Sequence, residues 1–533
     1  MHVPLFIIRR ATRGGVCVKA THKWEPQEIR VQGPKDGNPY VDHWISMDVE
    51  GPLGQKSIPG FYDGDGEYVV RFMPEIEGMH QLYIHADFLS QPISKCINVQ
   101  TNRKDFHGPV HVCGTHFVYA DGTPYFSVGT TCYVWLWQND DLIAQTLETL
   151  RNGPFNKIRF CVFPKHYPYN LHEPRSYPYP GRPMDSSVLT DENFMEYGPM
   201  SEGNEWQTDR FNPEHFRHLE TCVEKLMELG IEADIIIFHP YDRWGFSVMD
   251  RESDLLYIRY LCARLSAYPN VWWSLANEYD LLSRKSIADW EMIAREIVHS
   301  DPYGHLRSIH HCRVPYDASR SWITHVSWQR TDLYKSGEVA DELIQRYSKP
   351  VVMDEIAYEG NIQYGWGNIT GEELVRRFWE TAVRGGYPGH GETFLSNDHI
   401  LWWSHGGMLH GESPARIAFL RDVLQDVPGG FVSLSSRCEW DEVRAEAGKD
   451  GEWILCYYSF MRPSFREFHM SDDTEYQVDV IDTWNMTIQP MGIFHGRFNV
   501  PLPGKQYMAI RLRRVERMEN TFDFADESCI IHG

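Results

Sequence analysis

Positive charge, paired cysteines and long apolar runs are all scarce in this chain, and each shortage closes off a class of function. Lysine and arginine number 51 against 74 aspartates and glutamates, a formal net charge of −23. A field of that sign repels phosphate backbones and anionic lipid, so nucleic acid and membrane surfaces are poor partners. An anionic substrate is not excluded, because a basic pocket can sit within an acidic surface. The 11 cysteines are scattered, with no CxxC pair. That argues for buried free thiols such as Cys161, Cys262 and Cys312, and against a disulfide frame or a zinc site. No stretch approaches the ~20 apolar residues of a membrane span. The apolar run that opens MHVPLFIIRRATRGG, about five residues long, is too short for a signal-peptide core. A cytoplasmic protein of a reducing compartment is therefore expected. No GxGxxG follows a strand, which removes the dinucleotide-binding folds.

What is plentiful is apolar and aromatic surface. Hydrophobic residues make up 42% of the 533, enough for several cores, and disorder is not expected at this composition. The 18 Trp and 28 Tyr exceed what cores alone require. Flat aromatic faces are also what the apolar faces of sugars stack on.

Three regions differ in pattern. Residues 1–105 read as a β-sandwich: in GFYDGDGEYVVRF an Asp-Gly turn signal precedes a strand whose Tyr68, Val70 and Phe72 share one face. Residues 428–533 read as a small all-β domain with a loose acidic tail after about 515, because EYQVDVIDTW sets Tyr476, Val478 and Val480 against Gln477 and Asp479, and KQYMAIRLRR forms a closing strand. Between them, 106–427 alternates short apolar runs with amphipathic helices. NPEHFRHLETCVEKLMELG has Asn212 as N-cap, Pro213 in the first turn and Gly230 beyond its end, with Phe216, Leu219, Val223 and Leu226 on the buried face. TGEELVRRFWETAVRGG opens on a Thr370/Glu373 capping box. Eight strand candidates run from PYFSVGTTCYVW through FNKIRFCVF, IEADIIIFHP, VWWSLANE, HLRSIHHC, WITHVSW and KPVVMDEIAYEG to ILWWSHGG. Eight β/α repeats in about 320 residues predict an α/β fold, a (β/α)8 TIM barrel flanked by the sandwich and the small β domain. A Pro/Tyr-rich insertion at 164–211 has the length of a lid or substrate wall.

Such barrels keep their active sites at the C-terminal ends of the strands. Here those ends are polar: Arg159 on strand two; His239, then Tyr241, Asp242 and Trp244, on strand three; Asn277-Glu278 on strand four; His310 and His311 on five; His325 and Trp328 on six; Asp354-Glu355 and Tyr358 on seven; Trp402, Trp403 and His405 on eight. Glu278 and Glu355 lie 77 positions apart (355 − 278), the span of three β/α units. They therefore end strands that face each other across a barrel mouth. Opposed carboxylates, one protonated and one ionised, are what glycosidic bond cleavage requires. Strand alternation favours Glu355 over Asp354 for the mouth.

This ordered set resembles glycoside hydrolase clan A, the retaining (β/α)8 enzymes. The resemblance implies that Glu278 is the acid/base and Glu355 the nucleophile. It also implies that Asn277, Arg159, His239, His325 and Trp403 shape the first sugar subsite; Trp328, Trp244 and Tyr358, at or just beyond the strand ends, are further candidate substrate contacts. The strand-six motif is only approximated by THVSWQ, so the Tyr that usually touches the nucleophile is missing from its usual strand. The three-part layout is similar to a bacterial apiosidase-like group. An exo-acting retaining glycoside hydrolase for oligosaccharides or glycosides is expected, with no metal or organic cofactor and with homo-oligomers open. Two other readings stand beside it. A metal-dependent hydrolase on the same barrel would take His239, His311, His325 and His405 with Asp242 as ligands. A non-catalytic carbohydrate-binding protein would leave the glutamate pair unused.

Overall fold

Eight short, almost wholly buried strands run parallel around the centre of the chain: β1 (Gly129–Thr131), β2 (Lys157–Cys161), β3 (Glu232–Phe238), β4 (Val271–Ala276), β5 (Arg307–Ser308), β6 (Val326–Gln329), β7 (Val351–Glu355) and β8 (Tyr387–His390). This is a computed structural model that describes residues 7–8, 19–185, 187, 203–332, 335–397, 400–438 and 441–515. The acidic tail and part of the 164–211 insertion lie outside the described residues. The strands pair in the order β5-β4-β3-β2-β1-β8-β7-β6. That is a (β/α)8 barrel closed everywhere except between β5 and β6.

Helices α1 (Asp140–Asn152), α2 (Pro213–Glu228), α3 (Arg251–Leu265) and α4 (Ile287–Ser300) follow the first four strands. Helices α5 (Ala340–Tyr347), α6 (Gly371–Val383) and α7 (Ser413–Gln425) follow the last three. Among the described residues no helix stands between β5 and β6, so nothing presses that seam into a ladder. Individual bonds bridge it instead. The Thr324 N–H donates to the Arg307 carbonyl at 2.9 Å, and the Arg307 N–H donates to Thr324 Oγ1 at 2.7 Å.

The helix signals translate into structure with one exception. Asn212 Oδ1 accepts from the Glu214 N–H at the start of α2, and Gly230 takes a positive φ of 69° past its end. Thr370 caps α6 by accepting from the Glu373 N–H at 3.3 Å, but the reciprocal half of the expected capping box is absent. Glu373 turns instead to Arg376 and Arg377, at 2.8 and 2.7 Å, because two buried guanidinium groups demand a carboxylate more strongly than a backbone N–H does.

The eighth strand is not ILWWSHGG. It is Tyr387–His390, while Trp402–His405 form one helical turn whose four residues are all buried. A short apolar run reads the same as strand or helix when every face is covered. The true strand carries proline and glycine, which read as a turn. A Cβ at Gly389 would lie 2.6 Å from the Asp354 carbonyl oxygen, so only glycine lets β8 lie this close to β7.

The N-terminal strands form two sheets. One holds Gln27–Gln32, Glu67–Phe72 and Phe61–Tyr62; the other holds Ile93–Gln100, Gly78–Ala86, Ile45–Gly51 and Gly54–Pro59. Tyr68, Val70 and Phe72 do share the inner face, in one cluster with Trp24, Met47 and Ile84. Their alternates turn to the barrel: Val69 joins the barrel core, and Arg71 pairs with Glu220 of α2 at 2.8 Å. At the other end Ser435–Cys438, Val443–Ala447, Trp453–Tyr457, Met508–Arg514, Tyr476–Asp482 and Thr487–Phe494 make a six-stranded antiparallel sheet. Its alternation holds as read for Tyr476, Val478 and Val480. Asp479 departs from it: the carboxylate is buried, neutralised by Arg511 at 2.9 Å. No described helix is long and apolar enough to cross a membrane.

Candidate active site

Every residue of β4 is buried, so the strand is a rigid arm that carries Asn277 and Glu278 to the barrel mouth. Glu278 takes φ 50° and ψ 55°, a left-handed backbone costing about 1–3 kcal/mol for a residue with a Cβ. At that tip Asn277 works in two directions. Its Oδ1 accepts from Arg159 at 2.7 Å, and its Nδ2 donates to Glu278 at 3.2 Å. Tyr241 donates to the other side of the same Glu278 oxygen, and Gln329 Nε2 donates to Oε1 at 3.3 Å.

Glu355, at the tip of β7, faces this group. Tyr133 donates to its Oε1 at 2.5 Å, Arg159 reaches the same oxygen at 3.3 Å, and His310 Nε2 stands 3.4 Å away. His310 also meets Gln329 Oε1 at 2.9 Å. Two short bridges thus join the carboxylates, one through Asn277 with Arg159 and Tyr133, the other through Gln329 and His310. The two glutamates are brought to one mouth, each almost sealed from solvent.

Their surroundings drive them apart in acidity. Burial would raise Glu355, but the His310, Arg159 and Tyr133 contacts override it and hold this carboxyl well below its usual range. At Glu278 burial acts first and the charge of Glu355 adds to it, so this carboxyl is pushed up, with Tyr241, His310 and Lys165 only partly opposing. The two carboxyls are therefore shifted in opposite directions, Glu278 up and Glu355 down.

Asp354 does not point away from the barrel, as simple alternation suggested. It turns into the interior one layer below, where it accepts from Lys157 at 2.8 Å and from Ser327 at 2.5 Å. Lys157 completes a buried triad with Asp234 at 2.7 Å. Glu355 is the last residue of the strand, free of the ladder on its far side, and swings over the mouth.

Of the other residues read from the sequence, Arg159, Asn277, Trp403 and Tyr358 join the cluster. Trp403 stands edge-on to Tyr133 at 5.4 Å and near Trp366 at 5.1 Å, while Trp402 turns inward and donates to Thr130 at 2.8 Å. Tyr358 lies beside Glu355, where burial and that charge keep its phenol protonated. His239 is in the wall: its Nε2 meets the Phe163 carbonyl at 3.3 Å, and burial holds the ring neutral, down to about 3.

Three expected contacts are not gathered here. His325 precedes β6, at the opposite end of the barrel, packed against Phe117 and Trp272. Trp328 faces His311 because the pleat gives Ser327 and Gln329 the site side. Trp244 anchors the insertion, donating to Glu173 at 3.1 Å and accepting through its carbonyl from Trp206. Tyr241, three residues earlier, makes the contact to Glu278 instead. The histidines of the metal reading are scattered too, with His405 bonded to Asn170 at 2.9 Å. Among the described residues no group of three or more His, Cys, Asp or Glu is arranged to hold a metal ion.

Tyr133, Gln329 and Lys165 were not singled out from the sequence. Tyr133, just past the end of β1, supplies the phenol that strand six lacks. Gln329 could have been found by parity with Ser327. Lys165 carries no sequence signal, since it lies on a loop.

A family model described as apiosidase-like, catalytic domain, matches residues 113–432. Models of two domains of unknown function, DUF5060 and DUF5605, match residues 20–87 and 440–513. No curated protein matches the chain. Among solved structures, a Bacteroides vulgatus ATCC 8482 protein assigned as a glycoside hydrolase is 33% identical, with 93% of this chain and 100% of that chain covered and a TM-score of 0.85. A glycoside hydrolase family 5 structure from the same organism shares the fold at 15% identity, with 76% and 94% covered and a TM-score of 0.56. With well over half its length matched by the catalytic-domain model and a whole-length relative at 33% identity, the chain belongs to the apiosidase-like family and is a glycoside hydrolase on a (β/α)8 barrel.

Proposed function

We propose that the enzyme cleaves its glycoside with retention of configuration, through a covalent glycosyl–enzyme on Glu355. Glu278 gives its proton to the leaving oxygen as Glu355 attacks the anomeric carbon. Once ionised, Glu278 takes a proton from water, which attacks the same carbon and releases the sugar. The observation that carries this reading is the opposite drift of the two carboxyls at one mouth. Arg159 and Tyr133 keep the attacking oxygen ionised and aimed, and Asn277 is free to exchange its contacts for a sugar hydroxyl. Trp403 offers a ring face to the sugar.

Exo action on oligosaccharides or glycosides is the second part of the proposal. It is supported by the insertion after β2, whose described part folds over the mouth. His166 N–H donates to the Tyr241 carbonyl at 2.7 Å, and the Tyr167 ring stands 5.6 Å from Trp403. A covered mouth suits a chain end better than a chain middle.

Proton NMR of the first product from a nitrophenyl glycoside tests retention: the product anomer should match the substrate, and an inverted product would overturn the covalent route. Glu355→Gln should remove turnover to about 10⁴-fold below wild type or lower while the fold is kept.

A further inference from the structure

Arg159 directs its charge to Glu355, and Lys157 directs its own to two aspartates. Lys165 has no such partner. Among the described residues no oxygen accepts a hydrogen bond from its Nζ, although the residue is 2% exposed. The ammonium is instead ringed by aromatic faces, with Nζ 3.4 Å from the ring centre of Tyr133, 4.4 Å from Trp403, 4.5 Å from Tyr241 and 5.1 Å from Tyr167. Two of those rings hold the working carboxylates, Tyr133 on Glu355 and Tyr241 on Glu278. Ring faces offset part of the cost of burying a cation, but they cannot accept three directed N–H bonds.

The position is built rather than incidental. The Lys165 carbonyl accepts from Asn170 Nδ2, and Asn170 is held in turn by His405 at 2.9 Å. His166, the next residue, is tied through its N–H to the Tyr241 carbonyl at 2.7 Å. A buried ammonium fixed over the expected sugar platform, with its donors unused, lacks an oxygen acceptor.

We propose that Lys165 is a binding residue of the glycone subsite, donating hydrogen bonds from Nζ to an oxygen of the sugar cleaved by Glu278 and Glu355. The inference rests on the glycosidase reading and adds the group that recognises the sugar. The oxygen is a hydroxyl in a neutral sugar or a carboxylate in a uronate. Burial lowers Lys165 to about 8; Cys161, Glu278 and Glu355 face it and oppose the fall, Arg159 adds to it, and His239 beside it is neutral. The donor is therefore charged at neutral pH and fades as the pH rises past about 8.

Lys165→Met removes the donors with little change of shape, and Lys165→Gln keeps a polar tip. Both are compared with wild type on nitrophenyl pentosides, hexosides and uronides, with kcat and KM read separately and folding followed by thermal melting. The expected result is a fall in kcat/KM of about 100-fold for Lys165→Met, the size of a lost charged hydrogen bond, with an unchanged or higher melting temperature. A hydroxyl partner predicts a wild type that prefers neutral glycosides. A carboxylate partner predicts a preference for uronides that Lys165→Met reverses. Lys165→Met activity within about threefold of wild type would overturn the inference alone. So would failure of both variants to fold, which would make Lys165 a structural residue. A wild type that cleaves none of the panel would overturn the glycosidase reading, and this inference with it.

Discussion

At Glu355 the donors collect: a phenol, a guanidinium and an imidazole converge on one oxygen, and the proton is kept off. At Glu278 the same side chain meets burial and a neighbouring negative charge, and its carboxyl is pushed up. Tyr133 is the sharpest test of this division, because its O–H favours only the ionised form of Glu355. Tyr133→Phe should raise the Glu355 pKa, so the acid limb of kcat/KM moves to higher pH. A direct loss of about 10–100-fold should accompany it, the size of one hydrogen bond to a charged group. A pH–rate profile with the acid limb unmoved would show that Tyr133 does not hold Glu355 ionised. The pair of limbs belongs to both carboxyls together, since each feels the other's charge.

At the scale of strands and helices, glycine decides where a barrel can close. Gly389 has no room for a side chain beside the Asp354 carbonyl, so Gly389→Ala must push β8 off β7, the strand that carries Glu355. The expected cost is about 1–3 kcal/mol by urea unfolding, with a fall in kcat as Glu355 shifts. Unchanged stability would mean that the two strands are not in close contact. The same glycine explains what was and was not legible in the sequence. Runs such as IEADIIIFHP and VWWSLANE are pure strand, and their polar tips gave Asn277 and Glu278 directly. The β8 sequence YPGH gave no such signal, because the property that makes it a strand is a neighbour 35 positions away (389 − 354). The approximate strand-six motif misled at Trp328, which the pleat turns toward His311 while Gln329 faces the site, and His325 lies before the strand rather than at its end. Tyr133 and Lys165 were silent because their roles depend on loops folding over a mouth that strands alone do not describe.

At the scale of the whole molecule, the sandwich and barrel share buried charge rather than a simple apolar seam. Arg264 on α3 is fully buried and bridges Asp63 of the sandwich, at 2.9 Å, and Glu220 of α2; Arg71 of the sandwich joins Glu220 and Glu28. Removing one partner from such a network leaves charge uncompensated, at a cost of about 3–5 kcal/mol. Arg264→Met should therefore lower the unfolding free energy by that order while KM stays near wild type, because the network lies behind α2 and α3 and not at the mouth. A variant as stable as wild type would show that the two parts stand together by apolar contact alone. The −23 net charge surrounds a mouth with its own local balance, where Arg159 and Lys165 sit among Glu278 and Glu355, so the surface sign does not predict the sign of the substrate.

The covalent step on Glu355 is tested most directly by trapping. Wild-type enzyme is treated with a 2-deoxy-2-fluoro analogue of the aryl glycoside it cleaves, then analysed by intact mass and peptide mapping. A single glycosyl adduct on Glu355, absent from Glu355→Gln, is the result expected. An adduct on any other residue, or none from an enzyme that the analogue inactivates, would contradict it.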